Sequence, residues 1–340
     1  MTLRPLTRTE LGSLARADGR LLIVCLDNLG DLVFASALAP PLRARFPHAR
    51  ITVWSKAYTA EIASLIPGVT DVVASDPFWD RAPGYPKGPV LPFLHTGHTL
   101  RRTSFDIALL AFAPWRTAAA VAATGVPVRI GTTRRRNRPF LTYTLPPEER
   151  TTPVLTGLAR LLEPFGIVTP DLRYRLDTAP LAARRAHLEQ TLGGIPIAVL
   201  HAFASKRNRC VDPTQWRSVA TALEDRGFAP LWIGSTVELT ELRAGTHSPD
   251  RWLYGDRVLG GSLSEMAAAL SAARLFVGHD SGPLHIAGAF GVPSVAVFAP
   301  GEPHRTFPQG VGPSRILARA SPSEIIARDI IAEVDALTAR

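Results

Sequence analysis

Cysteine is almost absent: of 340 residues only Cys25 and Cys210 carry a thiol. One sits in an apolar run and the other in a polar stretch, so neither a disulfide framework nor zinc-type spacing exists, and a reducing, cytoplasmic setting is expected. Long hydrophobic runs are missing too. The strongest, Ile107 to Trp115, falls well short of the ~18 apolar residues of a membrane span and contains Pro114, so no bilayer-crossing helix is expected. Residues 1–20 alternate basic, polar and isolated leucine positions without a continuous apolar core, which argues against a secretory signal. No G-x-G-x-x-G follows the first strand-like run, which disfavours nicotinamide chemistry. Basic residues are not interleaved with aromatics in any recognised module, so nucleic acid is not an expected partner. His279 and His285 stand six residues apart without an accompanying carboxylate cluster, so no catalytic metal and no cofactor are expected.

What is present is a globular composition, 46% apolar and 20% charged, with a formal charge of +9. Residues 1–170 hold 20 Lys and Arg against 12 Asp and Glu, and the remainder 18 against 17, so the first half carries the excess. Such a field attracts anionic partners without fixing their identity. The length suggests two domains, at about 150 residues each.

The run Arg20 to Leu26 reads as a buried parallel strand, and a helix is predicted over Asp31 to Phe46 with Pro40 and Pro41 distorting its middle. Strands and helices then alternate, which predicts a parallel sheet covered by helices. Between Asp76 and Gly97, seven Pro and Gly residues, from Pro77 to Pro92, predict a long surface loop. A second alternating series runs from Leu181 to Phe298. The expected division is an α/β domain over 1–170, a second over 171–322, and a last segment, 323–340, whose helix packs back on the first domain.

Two places carry the chemistry. His279-Asp280-Ser281-Gly282-Pro283-Leu284-His285 reads as a strand end turning into a helix, where unpaired amides and the helix dipole favour an anion such as phosphate. Asp280 or Ser281 is able to cap that helix. After the first strand, Gly30-Asp31 places a carboxylate at a strand-to-helix turn, as a proton acceptor or a helix cap. Asp27 competes for the acceptor role and ranks behind Asp31.

With Arg45-Phe46-Pro47-His48, Ile66-Pro67-Gly68-Val69 and Gly291 to Pro300 in the same order, the chain resembles the ADP-heptose heptosyltransferases, glycosyltransferase family 9. The resemblance implies a GT-B fold, two Rossmann-like domains facing across a cleft, with the acceptor on the first and the nucleotide sugar on the second. It implies an inverting, metal-independent transfer of heptose from ADP-heptose to a lipopolysaccharide-core-like glycan or glycolipid, with peripheral contact at the inner membrane. Asp31 then matches the catalytic base, and Asp280, Ser281, Gly282 and His285 the diphosphate grip. In the stretch preceding Trp216, Arg209 falls where the family has Lys, with Lys206 and Arg207 beside it, and Val211 where it has Trp. Glu238 resembles an acid near the nucleotide ribose and is equally explained by a helix start. Arg134, Arg135 and Arg136 fall in a basic segment suited to an anionic acceptor. Two other readings stay open: a GT-B nucleotide-sugar epimerase and a non-catalytic nucleotide-sugar-binding protein.

Overall fold

The computed structural model describes residues 6–7, 11–12, 19–81, 86–204, 206–235, 238 and 262–339. The chain divides into two compact units, Met1–Tyr174 and Arg175–Arg340, at a point inside the irregular stretch between Pro170 and Pro180.

In the first unit, strands β1 (Arg20–Cys25), β2 (Arg50–Ser55), β3 (Asp71–Ala74), β4 (Ile107–Leu110), β5 (Val128–Thr132) and β6 (Tyr143–Leu145) form one sheet in the order β3-β2-β1-β4-β5-β6. Every pairing is parallel. Leu21 to Cys25 are buried on both faces of the sheet, which is why this run is continuously apolar rather than alternating. Each such aliphatic contributes about 1.5–3 kcal/mol relative to an exposed one.

The helix predicted over Asp31 to Phe46 is two helices, α1 (Leu29–Ser36) and α2 (Ala39–Arg45). Pro40 and Pro41 break the chain instead of bending it, because both occupy the first turn of α2, where a missing N–H costs nothing. The long loop predicted over Asp76 to Gly97 is shorter than expected, since α3 (Val90–Thr103) begins within it. Pro89 caps that helix, Pro92 lies in its first turn, and Phe93 and Leu100, one face two turns apart, are its buried anchors. Helix α4 (Trp115–Ala123) follows β4.

The second unit carries α5 (Ala182–Thr191), β7 (Ile197–His201), α6 (Pro213–Glu224), β8 (Ala229–Trp232), α7 (Leu263–Ala272), β9 (Leu275–His279), α8 (Gly282–Ala289), β10 (Ser294–Phe298), β11 (Ser314–Ala318) and α9 (Ala327–Thr338). Its sheet, again all parallel, has the order β11-β10-β9-β7-β8. Gly278 is required in β9: a Cβ there would stand 2.9 Å from the carbonyl oxygen of His201 on the neighbouring strand.

The closing helix corrects one expectation. Helix α9 belongs to the second unit, where Ile330, Ile331 and Val334 join the same core as Val295, Val297 and Trp216. Gln215 accepts the Ala327 N–H at 2.9 Å, and Arg226 clasps Asp335 through two bonds of 2.7 and 2.8 Å. The amphipathic pattern announces that the helix packs, but not on which sheet.

Candidate active site

In each sheet the strand order reverses once, between β1 and β4 in the first unit and between β7 and β9 in the second. Open parallel sheets bind ligands beyond the carboxyl ends of strands at that reversal. Asp27 and Asp31 follow β1, His201 ends β7, His279 ends β9, and Asp280 to His285 follow it.

At the first reversal, Asp31 is half-buried in the first turn of α1, and its carboxylate accepts the Asn28 N–H at 3.2 Å. A carboxylate there is favoured by the helix dipole. The Leu29 N–H donates to the Tyr58 hydroxyl at 2.9 Å, so the turn is held from the segment after β2 as well. Asp27 stands beside it with Oδ2 sealed from water and, among the described residues, no hydrogen-bond partner on that oxygen. Burial, reinforced by the charge of Asp31, pushes the Asp27 carboxyl up to about 7 against the opposing pull of Lys56.

Lys56 was not singled out in the sequence. It is fully buried at the end of β2, its Nζ 2.8 Å from Asp80 Oδ2 and 3.4 Å from Asn28 Oδ1. A buried ammonium requires such a partner. Burial acts to raise the Asp80 carboxyl, yet the hydrogen bond and charge of Lys56 hold it below the usual carboxylate range. The first reversal is thus a small charged network: two carboxylates near β1, a buried cation, and a third carboxylate from after β3.

At the second reversal, Ser281 occupies the N-cap of α8, but its side chain makes no capping bond. The hydroxyl donates to the His279 carbonyl at 3.0 Å and lies 3.0 Å from His201 Nδ1, which brings together residues 80 apart in sequence. Asp280 does not cap either: Oδ2 accepts from Thr306 Oγ1 at 3.2 Å, and Oδ1 stands 3.6 Å from His285 Nε2. Neither expected side-chain cap forms, so the helix start keeps its amides for another acceptor. His285 is buried one turn into α8.

His279 ties the basic stretch to this turn. Its Nε2 accepts the Val211 N–H at 3.1 Å, which places its proton on Nδ1, 3.3 Å from the Val297 carbonyl. Trp216 packs edge-on against the ring at 5.3 Å. Burial lowers both His201 and His279 to about 4, so both are neutral. Val211 is buried, and the short turn of Arg207–Arg209, with Lys206 at its start, directly precedes it.

Glu238 accepts the Ser235 N–H at 2.7 Å, while its own N–H donates to the Ser235 hydroxyl at 3.3 Å. This reciprocal pair is a helix-start pattern, legible in the sequence as Ser-x-x-Glu. In the first unit, Arg134, Arg135 and Arg136 are all exposed on a turn pinned by buried Asn137, which donates to the Ala113 and Thr132 carbonyls at 2.6 and 3.0 Å. Its Oδ1 accepts the Arg134 N–H at 2.6 Å. Asn137 also escaped notice; only its position after the arginine run hinted at it.

The family model "Glycosyltransferase family 9 (heptosyltransferase)" matches residues 93–323. Lipopolysaccharide heptosyltransferase 3 of Escherichia coli is 22% identical over 281 residues, 79% of this chain and 80% of that protein. A glycosyltransferase family 9 structure from Veillonella parvula superposes with a TM-score of 0.79 at 17% identity, covering 95% of this chain and 99% of that one. The E. coli ADP-heptose LPS heptosyltransferase II gives 0.76 at 18% identity, covering 94% and 98%, and the E. coli heptosyltransferase WaaC with ADP gives 0.70 at 18%, covering 94% and 100%. The fold is therefore GT-B, and the chain belongs to glycosyltransferase family 9, the heptosyltransferases.

Proposed function

We propose that this glycosyltransferase moves a heptose from ADP-heptose, with inversion and without a metal, to a hydroxyl of an anionic lipopolysaccharide-core-like acceptor at the cytoplasmic face of a membrane. The observation that carries it is the uncapped start of α8: Ser281 turns to His201 and the His279 carbonyl, which leaves the helix-start amides for a diphosphate. Asp31 takes the proton of the acceptor hydroxyl as its oxygen bonds the anomeric carbon, and the bond from that carbon to the diphosphate breaks. The departing diphosphate gains charge, which the amides of α8, His285 and the cations Lys206, Arg207 and Arg209 stabilise. Glu238 faces the nucleotide ribose, and Arg134, Arg135 and Arg136 hold an acidic group of the acceptor in forked bonds.

The names of the relatives, a lipopolysaccharide heptosyltransferase and one solved with ADP, support this choice of donor and acceptor. The test is incubation of the purified protein with ADP-heptose and an acyl-free core acceptor in the presence of EDTA. Release of ADP with formation of the α- or β-linked product of opposite configuration to the donor is expected. Turnover only with another nucleotide sugar, or only after metal is restored, overturns the corresponding part.

A further inference from the structure

The strongest unexplained feature of the first unit is a cavity of about 450 Å³ between α3 and α4, within the size range of a small-molecule site. It exists because the facing side chains are small: Gly97 on one helix and Ala119, Ala120 and Ala123 on the other. A Cβ built on Gly97 meets nothing within 4 Å. The floor is aromatic, with Phe93 stacked on Trp54 at 5.5 Å and edge-on to Trp79 at 4.9 Å. Arg101 and Arg116, both exposed, complete the lining.

Exposed apolar side chains form a rim of three, Phe78, Leu94 and Trp115, which line the cavity, and Val90 and Leu91 add two more in the first turn of α3. Leu91 is 78% exposed, Leu94 56%, Val90 49%, Trp115 41% and Phe78 37%, and these are five of the ten large apolar side chains so exposed among the described residues. Clustering of this kind marks an interaction face, whereas scattered single residues do not. Charge points to the partner. Residues 81–147 contain ten Lys and Arg and a single acid, Asp106, a surplus equal to the +9 of the entire chain. Asp106 is turned away, accepting the Arg20 N–H at 2.8 Å. Arg116 lies over the Trp115 ring at 5.0 Å, the amphipathic pairing suited to a lipid–water boundary.

We propose that the α3–α4 groove takes one hydrocarbon chain of an acidic lipid in a bilayer, with Arg101 and Arg116 on its anionic headgroup and the apolar rim sunk in the interface. This rests on the acceptor reading above and names the part of the first unit that meets the lipid.

The full-length protein is mixed with phosphatidylcholine vesicles, with or without phosphatidylglycerol, and then with vesicles whose acyl chains are brominated. Co-sedimentation with the acidic vesicles alone, weakened by salt, and quenching of tryptophan fluorescence by brominated chains are expected. The Arg101→Gln, Arg116→Gln double variant is expected to lose about thirtyfold in vesicle affinity. Ala120→Phe, and independently Gly97→Leu, plug the groove from opposite walls and are expected to remove the part of the quenching that comes from Trp54 and Trp79 inside the groove, leaving that of Trp115 on the rim, while the protein still sediments. Absence of binding to acidic vesicles overturns the proposal. So does quenching undiminished in both plugged variants with unchanged melting, which is surface adsorption without chain entry. Turnover of the acyl-free acceptor is read separately: if it persists while vesicle binding is absent, only the lipid site fails, and if it is absent while vesicle binding holds, only the transferase reading fails.

Discussion

Both sheets place buried titratable groups at the point where their strand order reverses, yet the two units resolve the cost of burial in opposite ways. In the second, His201 and His279 are lowered to about 4 and have no charge at neutral pH; they serve as fixed donors and acceptors for Ser281 and Val211. In the first, Asp27 is raised only to about 7, because Lys56 offsets part of the burial, so it changes charge where enzymes work. The second unit builds a neutral frame around the uncapped start of α8, and the first keeps its charges together at the turn that holds Asp31.

The largest break in that comparison comes from exchanging one residue in each. Asp31→Asn keeps the acceptor for the Asn28 N–H and removes the proposed base, so kcat is expected to fall by about 10²–10⁴ while binding of the proposed donor, ADP-heptose, stays unchanged. His285→Ala is expected to do the reverse, weakening donor binding by about ten- to a hundredfold, the scale of a hydrogen bond to a charged group. Single-turnover kinetics with calorimetry of donor binding separate the two. Wild-type turnover in Asp31→Asn moves the base to Asp27, and absence of turnover in both forms leaves a nucleotide-sugar-binding protein.

The pH dependence sharpens it. For His201 and His279 the folded pKa lies below the unfolded 6.5, so the unfolded chain binds more protons in between, and stability is lost as pH falls from about 6.5 towards 4. Each contributes about 3 kcal/mol over that window. His279→Phe leaves the Val211 N–H without its acceptor, at a cost of about 1–3 kcal/mol at pH 7. Its deficit in denaturant melts is expected to shrink at pH 4.5, where the wild-type ring must be protonated or pay for staying neutral. A pH-independent deficit rules out the buried neutral imidazole.

Asp27 has the opposite sign. Its folded pKa lies above the unfolded value, so the folded chain binds more protons between about 4 and 7, and stability falls as pH rises across that window. Asp27→Asn is expected to stabilise the protein at pH 8 by on the order of 4 kcal/mol and to leave it little changed at pH 4. Equal effects at both pH values mean that Asp27 is not a buried, titrating carboxyl.

The sequence made the frame of both sites legible and left their partners hidden, for a physical reason. Leu21 to Cys25 and Leu275 to His279 are buried on both faces, so composition alone marks them as central strands. The edge strands are different: β6 has three residues and β11 buries only Leu317, so neither carries a continuous apolar run for composition to mark. Proline was overweighted: Pro92 and Pro40 stand in first helical turns, where a breaker is harmless. The turns bearing Asp31 and Asp280 follow from local strand-to-helix patterns, whereas the bonds of Lys56 with Asp80 and of Ser281 with His201 join distant stretches, and no local pattern encodes them.

The smallest expected effect concerns the arginine turn, which belongs to neither reversal. Asn137 satisfies two carbonyls and one N–H at once, so Asn137→Ala leaves buried polar groups unpaired and loosens residues 134–136 without removing any positive charge. If those arginines grip the acceptor by geometry, the KM for acceptor is expected to rise by about three- to tenfold, with kcat and donor affinity nearly constant, because a forked contact loses energy when its two donors are no longer aligned. If they act only as a diffuse positive field, the same variant leaves the KM unchanged, while raised salt weakens acceptor binding equally in wild type and variant. The pair of measurements therefore decides whether the proposed acceptor contact of the first unit is a built turn or the charge of its surface.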